Sequence, residues 1–198
     1  MPNTEAITQW GISKLAFAEV TFGTDGAITA FGTPVMHRGA INLNVSANTN
    51  DGNRQAADNG LHYDAGGNST KSGELQVAKF LDFFKRDYLG YIEEGGGLGE
   101  GDGTKKSFAM LFEVCTDQGA ARVVWYDCTA GPISVTYATT DVDGNVTFSP
   151  ETSTITGAKA VLPNGNRRSA WSCAQGSENY DSFFTAVFFP ETKENPEP

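Results

Sequence analysis

Few residues in this sequence are placed to do chemistry, and each candidate set has a plainer structural reading. The glycine run Gly95, Gly96, Gly97, Gly99, Gly101 and Gly103 looks at first like a cradle for phosphate. Such a cradle follows a buried strand, opens a helix and usually places a Lys-Ser/Thr pair on it. Here a helix-like segment precedes the run, a strand-like one follows, and Glu100 and Asp102 would repel a phosphate. Asp141, Asp143, Asn145 and Glu151 sketch a calcium loop, but the glycine stands directly after the second Asp, not at the sixth position that the loop requires. A turn accounts for it. His37 and His62 are the only histidines; neither lies near a cysteine, and no zinc spacing exists. Nucleophilic catalysis needs a base held beside a Ser or Cys, and no elbow motif supplies one. Glycoside hydrolysis needs two carboxylates facing across a cleft. Glu19, Glu74 and Glu113 are strand acids that solvated sheet faces explain without a cleft. Trp10, Trp125 and Trp171 could stack on sugar rings; Trp125, set among valines, reads as core, and the other two stay open. The reading is therefore no catalytic, cofactor-binding or metal-ligating set, and no enzyme.

The elements that carry these residues are mostly strands. Ile12 to Phe22 alternates, with Leu15 and Phe17 on one face and Lys14, Ala16 and Ala18 on the other, and Gly23-Thr-Asp-Gly26 turns it. Ile41-Asn-Leu43-Asn-Val45-Ser-Ala47 has period two, with an apolar and an amide-rich face. Arg54 to Tyr63 and Thr70 to Ala78 straddle Asp64-Ala-Gly-Gly-Asn68, a hairpin-type connection. Residues 80–89 place Phe80, Leu81, Phe83, Phe84 and Tyr88 on one helical face, with Asp82 and Arg86 as an i,i+4 pair opposite. So short a helix must be held by burial against a sheet. Glu93 to Lys106 has little to bury and reads as a long mobile loop. A hairpin follows: Ser107 to Thr116, a turn at Asp117-Gln-Gly119, and Ala121 to Ala130. Ile133 to Thr139 and Asn145 to Phe148 flank an Asp-Gly turn. Thr152 to Leu162 meets Arg167 to Cys173 across Pro163-Asn-Gly-Asn166, and Ser177 caps a closing helical segment with Tyr180, Phe183, Phe184 and Val187.

At 198 residues, with 39% hydrophobic residues and 13 Phe, the chain can bury the core of one domain over 1–190, leaving 191–198 as an acidic flexible tail. Its net charge of −10 argues against groove binding to nucleic acid, which works by neutralising phosphates with Lys and Arg. Cys115, Cys128 and Cys173 cannot all pair within one chain; buried free thiols in a reducing cytoplasm are the reading, and a Cys115–Cys128 bridge is disfavoured. The N-terminus lacks a basic and an apolar region, so no signal peptide is read, and no run reaches the length of a membrane span.

Several motifs in fixed order then point to a family. They are Ala57-Asp-Asn-Gly-Leu-His-Tyr63, Gly73-Glu-Leu75, Phe83-Phe-Lys-Arg-Asp-Tyr-Leu-Gly90, Phe108-Ala-Met-Leu-Phe112, Tyr126-Asp-Cys-Thr-Ala130 and Tyr180-Asp-Ser-Phe-Phe184 with Val187 and Pro190. Over residues 10 to 190 this order resembles the major tail proteins of long-tailed bacteriophages. The resemblance implies a mainly β fold, a β-sandwich or rolled barrel of the tail-tube type with one short packed helix and long loops. It implies a virion protein, assembled in the host bacterial cytoplasm, that closes into hexameric rings stacking into a tube for DNA ejection. The implied partners are copies of itself and other tail proteins (tape measure, tail terminator, distal tail). Double-stranded DNA passes without specific binding, no membrane is involved and no cofactor is needed. Asp51, Arg54, Asp58 and Asn59 in one loop, and Glu100, Asp102 and Lys105 in the other, are candidate contacts between subunits. Glu74 is the first candidate for a lumen-facing acid, followed by Glu19 and Glu113. The alternative is a carbohydrate-binding β-sandwich adhesion module, with a hydrolase as a third class.

Overall fold

The computed structural model describes residues 8–49, 54–57, 60–64, 69–139, 142–144 and 146–190. The first strand, β1 (Gln9–Phe22), is followed by β2 (Ile28–Phe31), β3 (Val35–His37) and β4 (Ala40–Thr49). Next come β5 (Arg54–Ala57), β6 (Gly60–Asp64), β7 (Ser69–Val77), the helix α1 (Asp82–Leu89), and the short pair β8 (Ile92–Glu94) and β9 (Gly97–Gly99). The long strands β10 (Phe108–Thr116) and β11 (Gly119–Val135) precede β12 (Glu151–Ala158), β13 (Ala160–Val161), β14 (Arg167–Arg168) and β15 (Ala170–Ala174). The main sheet runs β2-β1-β10-β11-β12-β7-β4, with β15 beside β11 and β3 beside β1.

That sheet folds over itself because β11 belongs to two walls. Its first half pairs with β10 and β15, and its second half with β12. A register shift between Ala130 and Ile133, around Gly131-Pro132, marks the second half, as bulges do where strands bend. The β4–β7–β12 wall thereby faces the β1–β10–β11 wall, and the rolled sandwich expected from the sequence is the architecture found. Between the walls lie Leu15, Phe17, Leu75, Val77, Phe108, Met110, Trp125 and Ile155. Trp125 fits there because two facing strand positions lack a side chain. A Cβ at Gly73 would stand 2.9 Å from Leu43 and 3.2 Å from the Trp125 ring, and one at Gly157 would stand 3.2 Å from that ring. A second core lies on the opposite face of β1, β10 and β11, where Ala16, Ala18, Leu111, Val124 and Tyr126 meet Tyr180, Phe183 and Val187. Leu15 to Ala18 are consequently all buried, the alternating faces of one strand serving two cores.

The helix is shorter than its sequence pattern. Phe80 and Leu81 precede the first turn, Gly90 caps the end in the left-handed region at φ 75°, and Phe84 stacks on Phe80 at 4.8 Å and meets Phe17 at 4.6 Å. The Asp82–Arg86 pair does not form. Arg86 instead donates to the adjacent Asp87 at 3.0 Å and lies 3.8 Å from Glu93, shorter reaches than a full turn back along the helix.

Other sequence expectations need correction. The segments around Asp64–Asn68 do not pair with each other: β6 pairs with β5, while β7 pairs with β4, because β4 and β7 offer a longer matching register. The glycine segment after the helix is not featureless, since Gly95 and Gly96 take φ of 59° and 80°, the two left-handed steps of a tight hairpin turn, and join β8 to β9. Its return leg is tied to the helix end by Gly103 N–H donating to Gly90 C=O at 3.0 Å and Lys106 N–H to Asp87 C=O at 3.2 Å. Beyond Val135 no hairpin forms about the Asp-Gly turn; the described residues of 136–150 make an arm without strands. Pro163–Asn166 turns only the short β13–β14 pair, after which β15 joins β11. The closing segment from Ser177 is a series of i→i+3 turns and not a helix, and Tyr180 C=O accepts from Arg122 as well as from Phe183 N–H. The three cysteines are free; Cys115 lies opposite Ala120 and Cys128 opposite Phe108, too far apart along the hairpin to bridge. The 191–198 tail lies outside the described residues.

Candidate functional site

The buried carboxylates are occupied in holding the fold. Glu113, on β10, accepts from Arg122 Nε at 2.9 Å, Lys14 Nζ at 2.9 Å, Ser13 Oγ at 3.2 Å and Tyr180 O–H at 3.1 Å. Arg122 lies over the Tyr180 ring at 3.7 Å. Burial pushes the Glu113 carboxyl up, but the hydrogen bonds from Lys14, Arg122 and Tyr180 outweigh it and hold the group below the usual carboxylate range. Lys14 reaches this site from a β1 irregularity in which it takes φ 48°. Glu113 is thus not an acid on a solvated face as the sequence suggested; it is buried and its charge is paired within the chain. Glu151, read from the sequence near a calcium-like loop, instead begins β12 and anchors the helix. Its Oε2 accepts from Phe80 N–H at 2.7 Å and its Oε1 from Lys85 Nζ at 3.0 Å. Beside it, Leu81 N–H donates to the buried His37 Nε2 at 3.1 Å, and burial lowers the His37 pKa. Two side chains distant in sequence thus hold Phe80 and Leu81, the residues that lead into a helix whose N-cap Leu81 has no capping oxygen.

A cleft of about 490 Å³ between α1 and the β8–β9 hairpin brings Lys79, Lys85, Arg86, Tyr91 and Glu93 together. Lys85 and Arg86 are paired with acids there, and Tyr91 O–H donates to Glu100 at 2.8 Å. Glu100, Asp102 and Lys105 are exposed on the return leg. Arg54 lies on β5; Asp51, Asp58 and Asn59 lie outside the described residues, and the side chain of His62, on β6, is not described either. The tryptophans make no common platform: Trp171 packs on Phe188 at 4.3 Å in the second core, and although Trp10 and Trp125 line one groove, Trp125 is buried and Trp10 alone is exposed there.

The distinctive surface is the outer face of the β4–β7–β12 wall. Strand alternation turns Leu75, Val77 and Ile155 inward and sends their even-numbered neighbours outward. Register then lines up three rows: Ser46-Ser72-Thr156, Asn44-Glu74-Thr154 and Asn42-Gln76-Thr152. Thr129 and Ser134 extend the outer rows onto β11. Nine hydroxyl, amide and carboxyl side chains make a polar carpet whose single charge is Glu74, exposed at its centre, and whose Gln76–Thr152 end borders Phe148. Glu19 is elsewhere, on β1, paired to Lys106 at 2.9 Å. The structure therefore separates the three strand acids: one central and exposed, one paired at the surface, one buried. The amide-rich face of β4 was legible from period two alone. The register that sets it beside Glu74 and the threonines of β12 required the fold.

The model of the phage tail tube protein family matches residues 3–161, from before β1 through β13, and so covers both walls, the helix and the polar carpet. The run Tyr180 to Phe184 lies beyond the match. No curated protein matches the chain.

Proposed function

We infer the function from one premise: the chain belongs to the phage tail tube protein family. It is a structural component of the phage tail and not an enzyme. We propose further that it closes into six-membered rings which stack into the tube, and that the β4–β7–β12 carpet lines the bore through which DNA leaves. The observation that carries this reading is the exposed Glu74 at the centre of nine polar side chains. A duplex carrying one negative charge per ~1.7 Å would be repelled by a ring of such carboxylates and offered no cation to hold it. Hydroxyls and amides around it are neutral, which suits sliding. The wall also ends in two edges without strand partners among the described residues, β4 on one side and residues 129–135 of β11 on the other. Joining such edges between subunits removes an aggregation hazard.

On the same reading, the segment carrying Asp51, Arg54, Asp58 and Asn59 and the leg carrying Glu100, Asp102 and Lys105 contact neighbouring subunits. Tape measure, terminator and distal tail proteins bind the finished tube. The test is Glu74→Lys in every subunit, which sets a cation in the centre of the carpet. Tubes form as before, and DNA ejection slows, most at low salt where screening is weak. Wild-type ejection rates at low salt, from tubes seen intact by microscopy, would remove the carpet from the bore.

A further inference from the structure

Residues 136–150, between β11 and β12, carry apolar side chains that the chain itself leaves uncovered. Tyr137 is 83%, Val146 76% and Phe148 92% exposed. With Val142 fully exposed as well, four such residues on one arm are more than the scattered apolar exposure of an ordinary surface. The chain also has a groove with the converse character. It is about 410 Å³ in volume and opens between β1 and β4, with Trp10, Ile41, Val45, Phe112, Val123 and Trp125 in its lining. Trp10, Ile41 and Val45 are each about half exposed.

The arm does not fill the groove of its own chain. Phe148 lies with Gln76 and Thr152, on the outer face of the wall, whereas the groove lies with Leu43 and Trp125 on the inner face. The wall stands between them. The sheet nevertheless places arm and groove at matching positions for a neighbour. Val135, Glu151, Val77 and Ala40 form one row across β11, β12, β7 and β4. The arm leaves that row at the β11 edge, and the groove begins beside it at Ile41, along the β4 edge. When a second copy sets its β4 edge beside the β11 edge of the first, arm and groove come to the same level at the end of the joined sheet, where the arm can pass round Val135 from the outer face to the inner one. Charge agrees: the arm carries Asp141 and Asp143 and no cation, and the one charged side chain in the groove is Lys71.

We propose that the 136–150 arm of one copy docks through Tyr137, Val146 and Phe148 into the β1/β4 groove of a second copy. Arm and groove are different surfaces, so the contact is head to tail, the kind that propagates and closes into a ring. The proposal rests on the tube reading for the choice of a second copy as partner, and adds which surfaces meet.

The experiment is a photo-crosslinking residue at position 148 in the full chain, in an assembly made from equal parts of isotopically light and heavy protein. Mixed light–heavy adducts mapping to Trp10, Ile41 or Val45, and lost with Trp10→Glu, are the expected result. Phe148→Asp, at an almost fully exposed site, leaves the monomer folded and raises the concentration needed for assembly about tenfold or more. Wild-type protein that assembles but gives adducts away from the groove, or within one chain, overturns the proposal and leaves the tube reading standing. A small molecule found filling the groove in assembled protein overturns it as well. Failure of the wild type to assemble overturns both.

Discussion

Glu151→Ala removes the one side chain that ties α1 to the β-wall at two points. The carboxylate accepts from Phe80 N–H at 2.7 Å and from Lys85 at 3.0 Å, with side chains only 10% and 13% exposed. A hydrogen bond from a buried amide to a charged acceptor contributes about 1.5–3 kcal/mol. Breaking a buried ion pair costs about 3–5 kcal/mol, and the lower end applies because Lys85 keeps some access to water. The two overlap and do not add, which leaves a loss of about 3 kcal/mol. For a chain of this length, 1 kcal/mol moves the midpoint about 2–4 °C, so a fall of roughly 6–12 °C is expected. Glu151→Gln keeps an acceptor for Phe80 N–H and loses only the charge, and should fall about half as far. Lys85→Met in the Gln background should be better tolerated than in the wild type, because it removes a cation that no longer has a partner. Thermal and urea unfolding followed by circular dichroism reads all four variants. Glu151→Ala within about 1 kcal/mol of the wild type would refute the view that this carboxylate, and not aromatic packing alone, positions the helix.

Three further outcomes follow from the same structure. Glu113 is ionised below its ordinary pKa in the folded chain, so its contribution is present above about pH 4.5 and is lost as pH falls through the lowered value; unfolding at pH 3–5 should show Glu113→Gln less acid-sensitive than the wild type, and equal pH slopes would count against the cluster. Phe84→Ala empties a fully buried site between Phe17 and Phe80 and should cost about 3–5 kcal/mol, measured by urea titration. Replacing residues 93–99 by a short Gly-Ser link removes only the largely exposed β8–β9 tip; stability should change by less than about 1 kcal/mol while assembly weakens, and a loss above 2 kcal/mol would make the hairpin part of the fold.

Local pattern carried the sequence reading furthest where one element decided its own structure. The alternation from Ile12 to Phe22, the β10–β11 hairpin and the helix stop at Gly90 are of that kind. It fell short where a partner distant in sequence decides. Nothing near Glu151 shows that its carboxylate anchors Phe80 and Lys85 about seventy residues earlier, and nothing near Glu113 shows that Lys14, Arg122 and Tyr180 converge on it. Glycine content alone made 93–106 look mobile, although Gly95-Gly96 supplies the paired left-handed steps of a tight turn. The polar carpet was half legible: the even positions of β4 and β7 point outward by period two, whereas their alignment with Thr152, Thr154 and Thr156 is a matter of register. The Asp-Gly step suggests a hairpin of Ile133–Thr139 with Asn145–Phe148, yet only Ile133 to Val135 pair, and with β12; the apolar residues beyond them stay exposed.

The central claim, that this chain builds a tube, is tested most directly by electron microscopy of the purified protein over a concentration series, alone and seeded with tail tips of the same phage. The account predicts rings at intermediate concentration and tubes of constant diameter above it, with seeding lowering the threshold. Monomers at every concentration, with and without seeds, would contradict it.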